Sequence, residues 1–161
     1  MRVVVLGIGN VLLSDEGVGV HAVAALQDRY HLDPSIEVVD GGTTGMELLP
    51  ELEDADHLIV CDAVRTGKPP ASVVKLTDDE VPAFFKTKLS PHQIGLSDVL
   101  AALRFSGHSP GRVVLIGVEP VTLSLSMELT PEVAAQMDAV LALVTAELAA
   151  LGLPATLKAA E

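Results

Sequence analysis

Two carboxylates and an imidazole, Glu16, Asp62 and His92, fall where an α/β chain tends to put its chemistry. Glu16 follows the apolar run "RVVVLG" across the loop "GIGNVLLSDE", Asp62 closes the run "HLIVC", and His92 sits in the first turn of the helix that "SPHQ" announces. If the three meet, oxygen ligands plus one imidazole make an open divalent-metal site. Each also has an ordinary structural use. Glu16 can satisfy a helix N-terminus, Asp62 can cap a turn at a strand end, and His92 can be an exposed first-turn residue. Spacing alone leaves both uses open.

Competing chemistries fare less well. Gly7-Ile8-Gly9 begins like a dinucleotide fingerprint, but position 12 is Leu12 rather than the third glycine. Asp15 and Glu16 then place negative charge where a phosphate needs free N–H groups and the positive end of a helix. A cation suits that loop better, which disfavours a nucleotide-binding regulator. Cys61 precedes Asp62, so in a strand it points to the opposite face and reads as a small core hydrophobe rather than a nucleophile. His57 opens the strand that Asp62 closes, about 16 Å away along extended chain. His21 is roughly 140° round a helix from Glu16, and His31 and His108 read as surface residues. No Gly-x-Ser-x-Gly elbow, His-Glu-x-x-His helix, Walker loop or Asp-Thr-Gly occurs.

The elements that must position these residues are legible as alternating patterns. "RVVVLG", "IEVVDG", "HLIVCDAV" and "RVVLIGV" are short β-branched runs of the buried-strand type, and "ASVVKL" is a more polar fifth for an edge. A first helix is expected from Asp15 or Glu16 to Tyr30, with Val20, Val23, Ala24 and Leu26 facing the sheet. Ser90, Pro91 and Gln93 form a capping box before a second. A last helix opens at Thr130-Pro131-Glu132 and carries Val133, Met137, Val140, Leu141, Val144, Leu148 and Leu151 on one face, until Gly152 and Pro154 end it. Strand–helix alternation predicts a three-layer α/β fold, a mostly parallel sheet between helices, with ligands bound beyond the carboxyl ends of its strands.

The bulk properties agree. The 161 residues suit one domain, and 49% hydrophobic residues with one Tyr, three Phe and no Trp require a core of Val, Leu, Ile and Ala. The net charge of −12, with ten scattered basic residues, lacks the footprint of a nucleic-acid binder; it suits a soluble monomer or attraction to a cation or basic peptide. One cysteine excludes an internal disulfide and a thiolate zinc cluster. No stretch reads as a membrane span of about 20 apolar residues, and Gly7, Gly9 and Asn10 interrupt the apolar run after Arg2, with acids following where a leader peptide's cleavage site would fall. A cytoplasmic protein is expected.

Taken together, "GIGNVLLSDEGVG", "DGGTTGMELL", "HLIVCDAV", "SPHQIGLSDVLAALRFSG" and "VLIGVEP" with "LTPEV" resemble, in order and spacing, the nickel-iron hydrogenase maturation endopeptidases, particularly the hydrogenase-2 type. The resemblance covers nearly the whole chain and implies a five-stranded twisted sheet between helices. It also implies a cytoplasmic endopeptidase that removes a short C-terminal extension from the hydrogenase large-subunit precursor once nickel is in place. The family's metal ligands fall on Glu16, Asp62 and His92, with nickel brought by the substrate. Its Asp-Gly-Gly segment falls on Asp40, Gly41 and Gly42, where an acid and two bare positions can orient a ligand or admit a peptide, and Asn10 supports the neighbouring loop. Two mechanisms stay open: the gripped metal registers the scissile bond and polarises its carbonyl or a water, or the metal serves recognition alone and Asp62 acts as general base. The alternative is a binding module that holds a nickel-loaded partner without cutting it. Residues 153–161 are expected to fray.

Overall fold

A computed structural model describes residues 1–44, 46–78, 80–81 and 96–159. Along the chain run β1 (Val3–Ile8), a 3-10 turn (Ser14–Gly17), α1 (Val18–Arg29), β2 (Tyr30–His31) and β3 (Ile36–Gly42). A second 3-10 turn (Met46–Leu48) leads into α2 (Leu49–Leu52), followed by β4 (His57–Ala63), β5 (Val73–Thr77) and α3 (Leu96–Ser106). Then come β6 (Arg112–Val118), α4 (Pro131–Ala134), α5 (Met137–Ala150) and β7 (Thr156–Leu157).

The five apolar runs make one sheet in the order β3-β1-β4-β6-β5. β3, β1, β4 and β6 are parallel, and β5 closes the edge antiparallel to β6. Alternation along β1 splits the core in two. Val3 and Val5 pack with Val18, Val23, Leu26, Leu141 and Leu148 on one side, while Val4 and Leu6 pack with Leu52, Leu58, Val99, Leu103 and Leu115 on the other. Burial on both faces explains why β1 is apolar throughout rather than alternating with polar residues. The result is the expected three-layer α/β sandwich.

The chain leaves β1 toward β3 on one side and leaves β4 toward β6 on the other. The carboxyl ends of β1 and β4 therefore flank the topological switch point, the crevice in which open α/β sheets bind ligands.

Helix α1 begins later than expected, and its buried stripe keeps Val23 and Leu26 but shifts away from Val20 and Ala24. Its buried residues are Val18, Gly19, Ala22, Val23 and Leu26, whereas Val20 is half-buried and Ala24 exposed. Space rather than hydrophobicity decides this. A Cβ on Gly19 would lie 2.0 Å from the Cys61 carbonyl oxygen and 2.5 Å from that of Ile8, so the helix can rest on the ends of β4 and β1 only where a side chain is missing. Gly19→Ala must push α1 off the sheet. We expect it to cost about 2–3 kcal/mol, read as a lower urea midpoint at unchanged slope.

The last helix is broken in two. Thr130 caps α4, its hydroxyl accepting from the Val133 N–H, but Ala135 and Gln136 form a turn before α5. The face expected to be buried is buried, with Val133, Met137, Val140, Leu141, Val144 and Leu148 all in the core. One sequence expectation is corrected here: within the 20-residue stretch Pro131–Ala150 an 18-residue window has a mean hydropathy of 1.5, enough in length and apolarity for a membrane span. Its apolar face is spent on the sheet instead. The tail is also corrected. Within the stretch expected to fray, Thr156 and Leu157 pair with His31 and Tyr30, and Lys158 donates from its Nζ to the Gln27 carbonyl and from its backbone to that of Arg29. Backbone pairing with the end of α1 holds it where side-chain composition gives no sign.

Candidate active site

The loop after β1 is wound tightly enough to return an acid to the sheet's edge. Gly9 has φ +140°, and a Cβ there would strike the Glu16 carbonyl oxygen at 2.0 Å. Its N–H donates to the Gly42 carbonyl at 2.9 Å, tying this loop to the end of β3. Asn10 accepts from the Leu12 N–H through Oδ1 at 3.0 Å and from the Leu13 N–H through its carbonyl at 3.1 Å. Ser14 then takes a left-handed φ of 51° and opens the 3-10 turn that carries Glu16.

Glu16 and Asp62 meet in the switch-point crevice, 6% and 5% exposed. Burial raises the Asp62 carboxyl well above the usual carboxylate range, and the Glu16 charge raises it further, partly offset by the Ala63 N–H that donates to Asp62 Oδ1 at 2.8 Å. Two buried acids in mutual repulsion must share a proton or hold a cation. The donor set therefore fits a divalent metal. Cys61, its neighbour on β4, points into the core beneath α1 and α5, and burial followed by the Asp62 charge pushes its thiol up to about 12. A thiol so hard to ionise is no nucleophile.

His92 lies outside the described residues, as do Ser90, Pro91 and Gln93. Among the described residues no set of three His, Cys, Asp or Glu side chains gathers at metal-binding distance. Asp40 is exposed at the end of β3, where Oδ1 accepts from the Gly42 N–H at 3.0 Å. Gly41 is buried against Leu6, and Gly42 turns the chain with φ +47°. This segment reaches the same end of the sheet through Gly9.

Two buried acids have roles that the sequence does not assign them. Asp15, fully buried, faces away from Glu16 and holds the segment after β6: Oδ2 accepts from the N–H groups of Val121 at 2.9 Å and Thr122 at 3.2 Å, and Oδ1 from that of Thr130 at 2.8 Å. The Thr130 hydroxyl donates to the same carboxylate. Asp15→Ala strands those donors, and we expect a loss of about 3 kcal/mol, seen as a lower Tm with new proteolytic cuts between residues 119 and 130. Glu119 is 5% exposed just past β6 and accepts from both the backbone N–H and the hydroxyl of Thr66. The signal for Glu119 was the one that marked Asp62: an acid closing an apolar strand.

Fold and site together define a small three-layer α/β protein with an acid-lined crevice at its switch point. The sequence model described as hydrogenase maturation protease matches residues 20–147, and the chain belongs to that family. It is 49% identical over 156 residues to the hydrogenase 2 maturation protease of Escherichia coli strain K12, covering 96% of this chain and 95% of that one. The hydrogenase expression/formation protein HupD of Rhodobacter capsulatus is 46% identical over 157 residues, 96% of this chain and 75% of its own. Among solved structures, the hydrogenase maturating endopeptidase HybD from E. coli superimposes with a TM-score of 0.93 at 47% identity, covering 98% of both chains.

Proposed function

We propose that this chain is the endopeptidase that removes the C-terminal extension of a nickel-iron hydrogenase large-subunit precursor after nickel insertion, and that Glu16, Asp62 and His92 grip the nickel the precursor carries. The buried Glu16–Asp62 pair carries the reading, because it is a cation-demanding site in a family of hydrogenase maturation proteases. Alone, the pair holds back a proton at Asp62. An arriving cation expels that proton and fixes the precursor over the crevice. Carboxylate oxygens not engaged in the grip are then placed to take a proton from the attacking water as its oxygen adds to the scissile carbonyl; the C–N bond breaks and the proton passes to the leaving amine. Asp40, Gly41, Gly42 and Asn10 shape the side where the peptide enters.

The same reading sets the work in the cytoplasm as a monomer, without nucleic acid or membrane. The scattered basic residues, the lone buried cysteine and the burial of the apolar face of 131–150 support it. Incubating the purified protein with nickel-loaded precursor tests the function: a released C-terminal peptide and a shortened large subunit are expected. A stable, uncut complex would make the protein a binding module instead.

A further inference from the structure

Four large apolar side chains stand in solvent beside the crevice. Leu12 is 50% exposed, Val121 42%, Leu125 84% and Met127 67%. Their backbone is held firmly. The Ser126 N–H donates to the Leu12 carbonyl at 3.0 Å and the Ser14 N–H to the Ser126 carbonyl at 2.8 Å, laying residues 12–14 alongside 126 as an isolated bridge. Leu125 and Met127 flank that bridge on either side of Ser126, and both stand in solvent. The Ser14 hydroxyl donates to the Glu128 carbonyl at 2.9 Å, and Asp15 grips Val121, Thr122 and Thr130. Polar groups of the loop are thus turned inward and tied to the residues adjoining Glu16, while its apolar groups are turned out. Scattered exposed hydrophobics need no explanation, but a rigid cluster at the mouth of a site does. Its order is already in place before any partner arrives, so little entropy is lost on contact.

The segment that carries the cluster is itself acidic. From Val121 to Glu132 there is no Lys or Arg, while Glu128 and Glu132 are exposed carboxylates. We infer that Leu12, Val121, Leu125 and Met127 form the docking rim for the precursor, receiving an apolar segment flanked by Lys or Arg side chains next to the scissile bond. The inference rests on the proposed function and names the substrate surface that the crevice alone does not supply. Leu12 shares a loop with Glu16, and Val121 follows the end of β6, which pairs with β4 at Asp62, so the rim is continuous with the cleavage site.

Steady-state cleavage of the nickel-loaded precursor tests it. Leu125→Ser with Met127→Ser should raise KM about tenfold or more, with Tm and calorimetric nickel affinity as in the wild type. Glu128→Lys should raise KM as well. Phe105→Ser, which removes a 96% exposed side chain on α3, should leave KM where it was. Unchanged KM in both the double variant and Glu128→Lys would overturn the inference, as would a wild-type dimer in sedimentation velocity that the double variant dissociates. If the wild type binds the precursor without cutting it, the protease reading fails separately. The docking rim then stands on weaker complex formation by the double variant and falls on equal affinity.

Discussion

Asp62→Asn is expected to abolish cleavage of the nickel-loaded precursor while making the protein more stable. The side chain is 5% exposed at the end of β4, and burial and the Glu16 charge hold its carboxyl well above the usual range. An amide keeps the shape but neither binds a cation as a carboxylate does nor accepts a proton, so kcat/KM should fall at least about 10³-fold. Stability moves the other way. Because the folded pKa exceeds the unfolded value of about 3.9, the folded state binds more protons between the two, and stability is lost as pH rises through that window. Asn never ionises. The variant's Tm should match the wild type near pH 3–4 and exceed it increasingly toward neutrality, each 1 kcal/mol relieved being worth about 2–4 °C in a chain of this size. Calorimetric scans across pH, paired with cleavage assays, check both halves. A variant less stable than the wild type at pH 7 would mean that Asp62 is an ordinary structural acid.

The second large effect is on the substrate side. Nickel-loaded precursor should be cut at least about 10³-fold faster than apo precursor, and free nickel should not restore the rate. Cys61, the chain's one cysteine, offers no nucleophile beside the acid pair, since it faces the core with its thiol pushed up to about 12. What remains is positioning. If the precursor's metal is gripped by Glu16 and Asp62 as proposed, the scissile bond would reach Asp62 as one unit, and such pre-alignment would be worth effective concentrations on the order of 10⁵ M and above. Free nickel in the millimolar range cannot match that. Intact-mass time courses on loaded precursor, apo precursor and apo precursor with added nickel decide it; rapid cutting of the apo form without metal would contradict the account.

Where the fold was legible, one local force dominated. The β-branched runs become strands at nearly their expected limits because burial on both faces of β1, β4 and β6 demands them, and Glu16 and Asp62 could be placed together because one follows and the other closes strands that must be parallel. The face of α1 is legible at Val23 and Leu26 but not at Val20 and Ala24, because Val20 outweighs Gly19 and Ala22 in hydrophobicity while what lies beneath the helix is a pair of carbonyl oxygens that admit only small residues. Asp15 was misread for a different reason. Its partners Val121, Thr122 and Thr130 are more than a hundred residues away, and nothing local distinguishes a carboxylate that holds a distant loop from one that faces a ligand. The pairing of Thr156 and Leu157 with β2 was invisible likewise, since backbone hydrogen bonds leave no mark in composition.

Calorimetric titration with nickel tests most directly the central claim that the acid pair at the switch point grips the precursor's metal. Run on the wild type and on Glu16→Gln, Asp62→Asn, His92→Ala and Cys61→Ala, it should show affinity lost sharply in the first three variants and kept in the fourth. Equal affinity in all four variants would contradict the account.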